Sequence, residues 1–218
     1  MVHQKTANRR ISGDRIAVSI IAAVVVATAL IFAWTSSNYR SDSTARDTWT
    51  DDKGRVHVLG IELGYSTLRS AEVALKSRSD IALYIYPDTH KDAGIRLEAY
   101  FPAITDHSKV ILVLGASAGL IEKIQQKTTV PNLYPNDVAR MNLHPEDMVA
   151  VQQLIVNELT LIPSVDITAA MLAARFGPAS NSTTDADGST HYVFPGIGLE
   201  ATLRNDDAGL LHFSNPEK

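Results

Sequence analysis

Gly115-Ala116-Ser117-Ala118-Gly119 carries the sharpest chemical pattern in the chain. It fits G-x-S-x-G, follows the strand-like run KVILVL and precedes a helical pattern, the setting a nucleophile elbow requires. On that reading Ser117 is a nucleophile on a sharp turn, His191 or His212 is its base, and Asp185 or Asp187 orients the base. The competing reading is a strand-to-helix turn in which small residues permit the bend and Ser117 caps the helix. The second reading is preferred. An α/β-hydrolase needs a larger parallel sheet with alternating helices, and no HGG-type oxyanion segment stands upstream. The stretch also lacks the lysine of a phosphate loop and the full dinucleotide-binding spacing.

The other reactive side chains form weaker patterns. His3, His57, His90, His107, His144, His191 and His212 show no i,i+4 helical pair and no H-x-H. Their spacing gives no positive sign of a metal, so no metal and no cofactor is expected. Glu98 and Glu200 recur at matching points of two similar segments and could be a carboxylate pair. By strand alternation they lie opposite the apolar face, which favours solvated positions. Tyr84, Tyr86 and Tyr100 could form an aromatic patch for a glycan or peptide, although tyrosine packing within a sheet is the commoner use.

Composition removes several classes. The 218 residues include no cysteine, which excludes disulfide frameworks, thiol catalysis and Cys-ligated zinc or iron–sulfur centres. Twenty Lys and Arg against 24 Asp and Glu give a net charge of −4, so no nucleic-acid partner is expected. Charge is unevenly placed. Lys5, Arg9, Arg10 and Arg15 face only Asp14 in residues 1–15, and residues 16–34 hold no charge. That uncharged run, IAVSIIAAVVVATALIFAW, would cover about 28 Å as a helix, close to a bilayer's hydrocarbon thickness. It therefore predicts an N-terminal transmembrane helix at 16–34 with the lipid bilayer as a partner. It is too long for a signal-peptide core and has no small-x-small site past its end. The basic flank predicts a single-pass inner-membrane protein with a cytoplasmic tail at 1–15 and a periplasmic C-terminal domain. Residues 35–52, polar and rich in Ser, Thr and Asp, predict a flexible tether.

The remainder looks duplicated. Gly94-Ile95-Arg96-Leu97-Glu98-Ala99 and Gly196-Ile197-Gly198-Leu199-Glu200-Ala201 agree at five of six positions. Tyr84-Ile85-Tyr86-Pro87 answers Tyr192-Val193-Phe194-Pro195, and helix patterns follow Ser66-Thr67 and Ile167-Thr168. Each unit reads as a helix followed by three alternating strands, and Val56–Leu63 adds a possible edge strand. Helical patterns fill the connector, one over Ser117–Lys127 and one from Pro145 that points Met148, Val151, Leu154, Ile155 and Leu159 inward. The expected class is α+β: a first unit at 53–116, a helical connector at 117–163 and a second unit at 164–218, each unit a helix plus an antiparallel meander.

This tandem plan, with ITAAMLAARFGP followed by YVFP and a Gly-Leu-Glu strand, resembles the SmpA/BamE-like envelope domain. It also resembles the two-unit beta-lactamase inhibitory protein. The chain lacks the lipidated cysteine of the envelope lipoproteins. The resemblance covers about 50 residues in each half. It implies a non-catalytic binding or scaffolding role in an envelope complex, with another envelope protein or a second copy as partner and strand edges as the docking surface. The alternative is a membrane-anchored serine hydrolase using Ser117.

Overall fold

In the computed structural model, described over residues 48–127, 130–204 and 207–216, the chain is dominated by strands. The first three are short: β1 (Trp49–Thr50), β2 (Val56–Val58) and β3 (Ile61–Glu62) form a small antiparallel sheet. Val56–Leu63 is thus a hairpin rather than one strand. Leu59 and Gly60 take φ of 53° and 76°, the pair of positive values that a tight two-residue hairpin turn requires.

Helix α1 (Leu68–Leu75) follows, with Leu68, Ala71 and Leu75 buried on one face. Its N-cap is Thr67, whose side chain accepts the Ser70 N–H. Then come β4 (Asp80–Tyr86), β5 (Gly94–Phe101) and β6 (Lys109–Gly115), a meander whose alternating residues bury Ile81, Leu83, Leu97, Ala99, Val110 and Leu112. Helix α2 (Ala118–Lys127), strands β7 (Asn132–Leu133) and β8 (Ala139–Asn142) and the single turn α3 (Met148–Val151) lead to β9 (Ile155–Ile162). Helix α4 (Ala169–Phe176), capped by Thr168, precedes β10 (Asn181–Thr184), β11 (Thr190–Phe194), β12 (Leu199–Arg204) and β13 (Asp207–Ser214).

Among the described residues, ten strands make one antiparallel sheet in the order β10-β11-β12-β13-β9-β6-β5-β4-β8-β7. This corrects the expected α+β class with two helix-plus-meander units. Each half does run helix then meander in chain order, but β9 pairs with β6 on one side and β13 on the other. Strand β9 therefore fuses the halves into one sheet. The helices are four to ten residues long among the described residues, and their buried side chains join the same core cluster as both meanders. The class is mainly β, a single large sheet with short helices on one face.

The membrane part of the expectation is corrected as well. Among the described residues no helix is long and apolar enough to cross a membrane. The run at 16–34 and the tail at 1–15 lie outside the described residues. Of the expected tether, Trp49–Thr50 is strand: Trp49 pairs with His57 and its indole stacks on that ring at 3.9 Å between centroids. The small sheet is tied to the large one by Asn215. Its side chain accepts the Val56 N–H at 2.8 Å and donates to the Leu63 carbonyl at 2.9 Å.

Candidate functional site

Cross-strand register sorts the large sheet's side chains into two faces. One holds the core. The other carries Tyr84, Tyr86, Arg96, Glu98, Tyr100, Glu158, Thr160, His191, Glu200, Thr202 and His212. Most of the residues whose spacing suggested chemistry therefore share one face. They do not converge.

Ser117 lies between β6 and α2, in the strand–turn–helix setting read from the sequence. Its Oγ accepts the Leu120 N–H at 3.3 Å, as a helix cap does. Its expected partners are elsewhere. His191 aligns through Thr202 and the β13 and β9 registers with Lys109, at the opposite end of β6 from Gly115. Four strand spacings put it about 19 Å across the sheet as well. His212 aligns with Thr160 and Ile111, two spacings or about 10 Å across and about 13 Å along from Gly115. His191 does meet Asp185, at 3.0 Å from Nε2, while its Nδ1 lies 3.0 Å from Thr202 Oγ1 and 3.3 Å from Glu200. Asp187 binds Ser189 and Arg204 instead, and His212 Nδ1 lies 3.0 Å from Thr160 Oγ1. A base and an orienting carboxylate are thus together, without the nucleophile. Two other histidines work locally: the Nδ1 atoms of His90 and His144 accept the backbone N–H groups of Asp92 and Glu146.

Glu98 and Glu200 are not a pair either. They sit on β5 and β12, four spacings or about 19 Å apart, beyond the separation of a glycosidase pair. Their environments also differ. Glu200 is exposed, whereas Glu98 is only 7% exposed and accepts the Tyr86 hydroxyl at 2.8 Å. The expectation of a solvated Glu98 fails because Tyr86, on the neighbouring strand of the same face, closes over it. Tyr84 stacks beside Tyr86 at 6.2 Å and His90 lies on Tyr86 at 4.7 Å. Burial pushes Glu98 above the ordinary glutamate value, against the Tyr86 hydrogen bond and the nearby Arg96 charge. Burial likewise raises Tyr86, which keeps its hydroxyl a donor.

A pH dependence follows. As pH rises, the unfolded chain releases the Glu98 proton first. Between the two pKa values the native state holds the extra proton, so this residue's contribution to stability declines as pH rises. Glu98→Gln keeps an acceptor for Tyr86 and has no titratable proton. It is expected to melt higher than the parent at pH 7, with the gain shrinking towards pH 4. Thermal melts across that range measure it.

The ends of the large sheet are unlike each other. Strand β10, Asn-Ser-Thr-Thr, is polar and exposed throughout. At the other end Val130, Leu133 and Tyr134 are 86%, 71% and 44% exposed. Sequence reasoning missed this patch because β7 and β8 are too short for a periodic signal. The Val-Pro-Asn-Leu-Tyr-Pro run was its only trace. One further cluster among the described residues could hold a metal ion: Asp51, His57 and Glu62, in the small sheet. Comparison with family models, with curated proteins and with solved structures finds no match for the chain.

Proposed function

We propose that this chain is a non-catalytic binding or scaffolding protein that engages another protein through the β7–β8 end of its large sheet. The observation that carries the reading is the apolar triplet Val130, Leu133 and Tyr134, exposed within five residues in and beside the outermost strand, β7. Exposed apolar side chains grouped in this way mark interaction surfaces more than isolated ones do. Aromatic anchors such as Tyr134 are enriched where protein interfaces hold most of their energy.

The loop that presents them is already ordered. The Tyr134 N–H donates to the Val138 carbonyl at 2.9 Å and the Asp137 N–H to the Tyr134 carbonyl at 3.0 Å. Pro131 and Pro135 flank Leu133 and Tyr134 and restrict the backbone further. A pre-ordered hairpin loses little entropy on binding. The complementary partner surface is an apolar groove able to receive Leu133 and Tyr134. The prolines and the two-residue length of β7 disfavour extended strand addition. The capping role of Ser117 and the distances of His191 and His212 support the non-catalytic part of the reading.

Quantitative affinity purification of the full chain tests this. A stoichiometric partner held by the parent and by Ser117→Ala should be lost with Leu133→Asp, a weakening of about tenfold or more for one buried anchor. Sedimentation of the purified chain separates self-association from a different partner. Undiminished binding by Leu133→Asp would sink the proposed surface. Labelling of Ser117 by a fluorophosphonate probe would sink the non-catalytic reading.

A further inference from the structure

The small sheet gathers a second constellation that the partner surface does not use. His57 is the middle residue of β2, between Trp49 on β1 and Glu62 on β3. Asp51 follows β1 immediately. One donor atom from each of Asp51, His57 and Glu62 lies within 4.8 Å of the other two.

We propose that Asp51, His57 and Glu62 form a binding site for a divalent transition-metal ion of the zinc class, with an open coordination position. Four observations carry it. First, the donor set is mixed, one imidazole and two carboxylates, which suits zinc and its first-row neighbours better than the all-oxygen sets of calcium or magnesium. Second, His57 Nε2 is shielded from solvent and has no hydrogen-bond partner among the described residues, a rare state for a buried polar atom. Its nearest carboxylate oxygen, Asp51 Oδ2, is 3.6 Å away. That is too long for a hydrogen bond, yet tetrahedral bonds of zinc length place neighbouring donors about 3.4 Å apart.

Third, the ligands are oriented from behind. Trp49 lies flat on the His57 ring, with 5° between the planes. Asp51 Oδ1 accepts the Lys53 and Arg55 N–H groups at 2.9 and 2.8 Å, which leaves Oδ2 for the site. Such outer partners fix ligand geometry at metal centres. Fourth, a cavity of about 650 Å³ abuts the cluster, lined by His57, Glu62, Trp49, Tyr65, Ser66 and Ser70. It gives the open position access to water or a small anion. Arg55 pairs with Glu62 Oε1 and also lies over the Tyr65 ring at 5.2 Å. With metal bound, Glu62 turns towards the ion and Arg55 stays on the ring, a position favourable to a cation.

The test is calorimetric titration of untagged, EDTA-stripped full-length chain with zinc chloride, with magnesium and calcium chloride as comparisons, alongside thermal melts. One zinc per chain is expected, tighter than either comparison ion, with a rise in melting temperature because the ion binds the folded state. Asp51→Asn retains the acceptor for Lys53 and Arg55, and His57→Gln is a second, independent variant. Each should weaken zinc at least about tenfold. His191→Asn, at the other imidazole flanked by carboxylates, should leave it unchanged. No zinc binding by the parent, or binding that Asp51→Asn and His57→Gln leave intact, would overturn the site. Loss of the β7–β8 partner has no bearing on this outcome, so the two proposals fail separately.

Discussion

Leu159→Ala is expected to destabilise the fold by about 3 kcal/mol, within the usual range for a fully buried leucine. Leu159 is 0% exposed in β9. It stands opposite Leu112 of β6 and Phe213 of β13. Its removal opens a cavity where the two meanders meet, and neither can move inwards without breaking the pairing of the other. At this chain length the loss corresponds to a fall in melting temperature of about 6–12 °C. Val149→Ala is the comparison. Val149 is exposed on α3, and its truncation should stay within about 0.5 kcal/mol. Urea unfolding checks both. A Leu159→Ala midpoint equal to that of Val149→Ala would mean that β9 is not the central strand.

Strand β9 also shows where the sequence was misleading. Its buried residues Val156 and Leu159 are three apart, and with Val151 and Leu154 upstream they fit a helical stripe. The spacing has another cause. Val113 pairs with Glu158 and Leu114 with Val156, so Asn157 is an extra residue on β9. Such a bulge shifts the strand's alternation by one position and turns a period of two into an apparent three. The connector thus read as helical, and the one strand able to join the halves was hidden. With it hidden, two separate units were the natural expectation. Strands β4, β5, β6, β11, β12 and β13 were legible from their alternation, despite a register shift between β12 and β13 near Arg204, whereas the all-polar β10 carried no such signal. The three helices α1, α2 and α4 were legible too, although Thr67 rather than Ser66 caps α1; Thr67 and Thr168 each accept an N–H three residues on.

The candidate sites were less legible, for a related reason. Pairing partners decide which side chains meet, and no local period reports them. Ser117 could be weighed as a cap from its neighbours alone. The approach of Asp51, His57 and Glu62 depends on a hairpin that brings residues 57 and 62 opposite each other. One trace was present: apolar alternation at Val56 and Val58 resumes out of phase at Ile61 and Leu63, with Gly60 between. That phase break is the signature of a tight turn. Likewise, Glu98 and Glu200 occupy equivalent places in similar segments, yet Glu98 is covered by Tyr86 on the same face of the adjacent strand, whereas β11 presents Val193 and His191 beside Glu200 and turns Tyr192 to the other face.

The two glycines of the second similar segment offer the other large effect. Gly198→Ala is expected to cost about 3 kcal/mol or more, while Gly196→Ala, two positions away, should change stability little. Gly198 takes a φ of +58°, which alone disfavours a side chain. A Cβ there would lie 2.0 Å from the Ser214 carbonyl oxygen and 2.8 Å from Val56 Cγ2. The first is backbone of β13, held by the Ser214 N–H to the Gly198 carbonyl at 2.9 Å, so it cannot rotate away. The second belongs to the small sheet that carries the proposed metal site. A Cβ at Gly196 meets nothing within 4 Å among the described residues. Relief of the Gly198 clash must therefore move β13, the small sheet, or both. Zinc titration of whatever Gly198→Ala protein remains folded would show which. Intact binding means that β13 gives way, and weakened binding means that the hairpin carrying His57 and Glu62 has been pushed from its place.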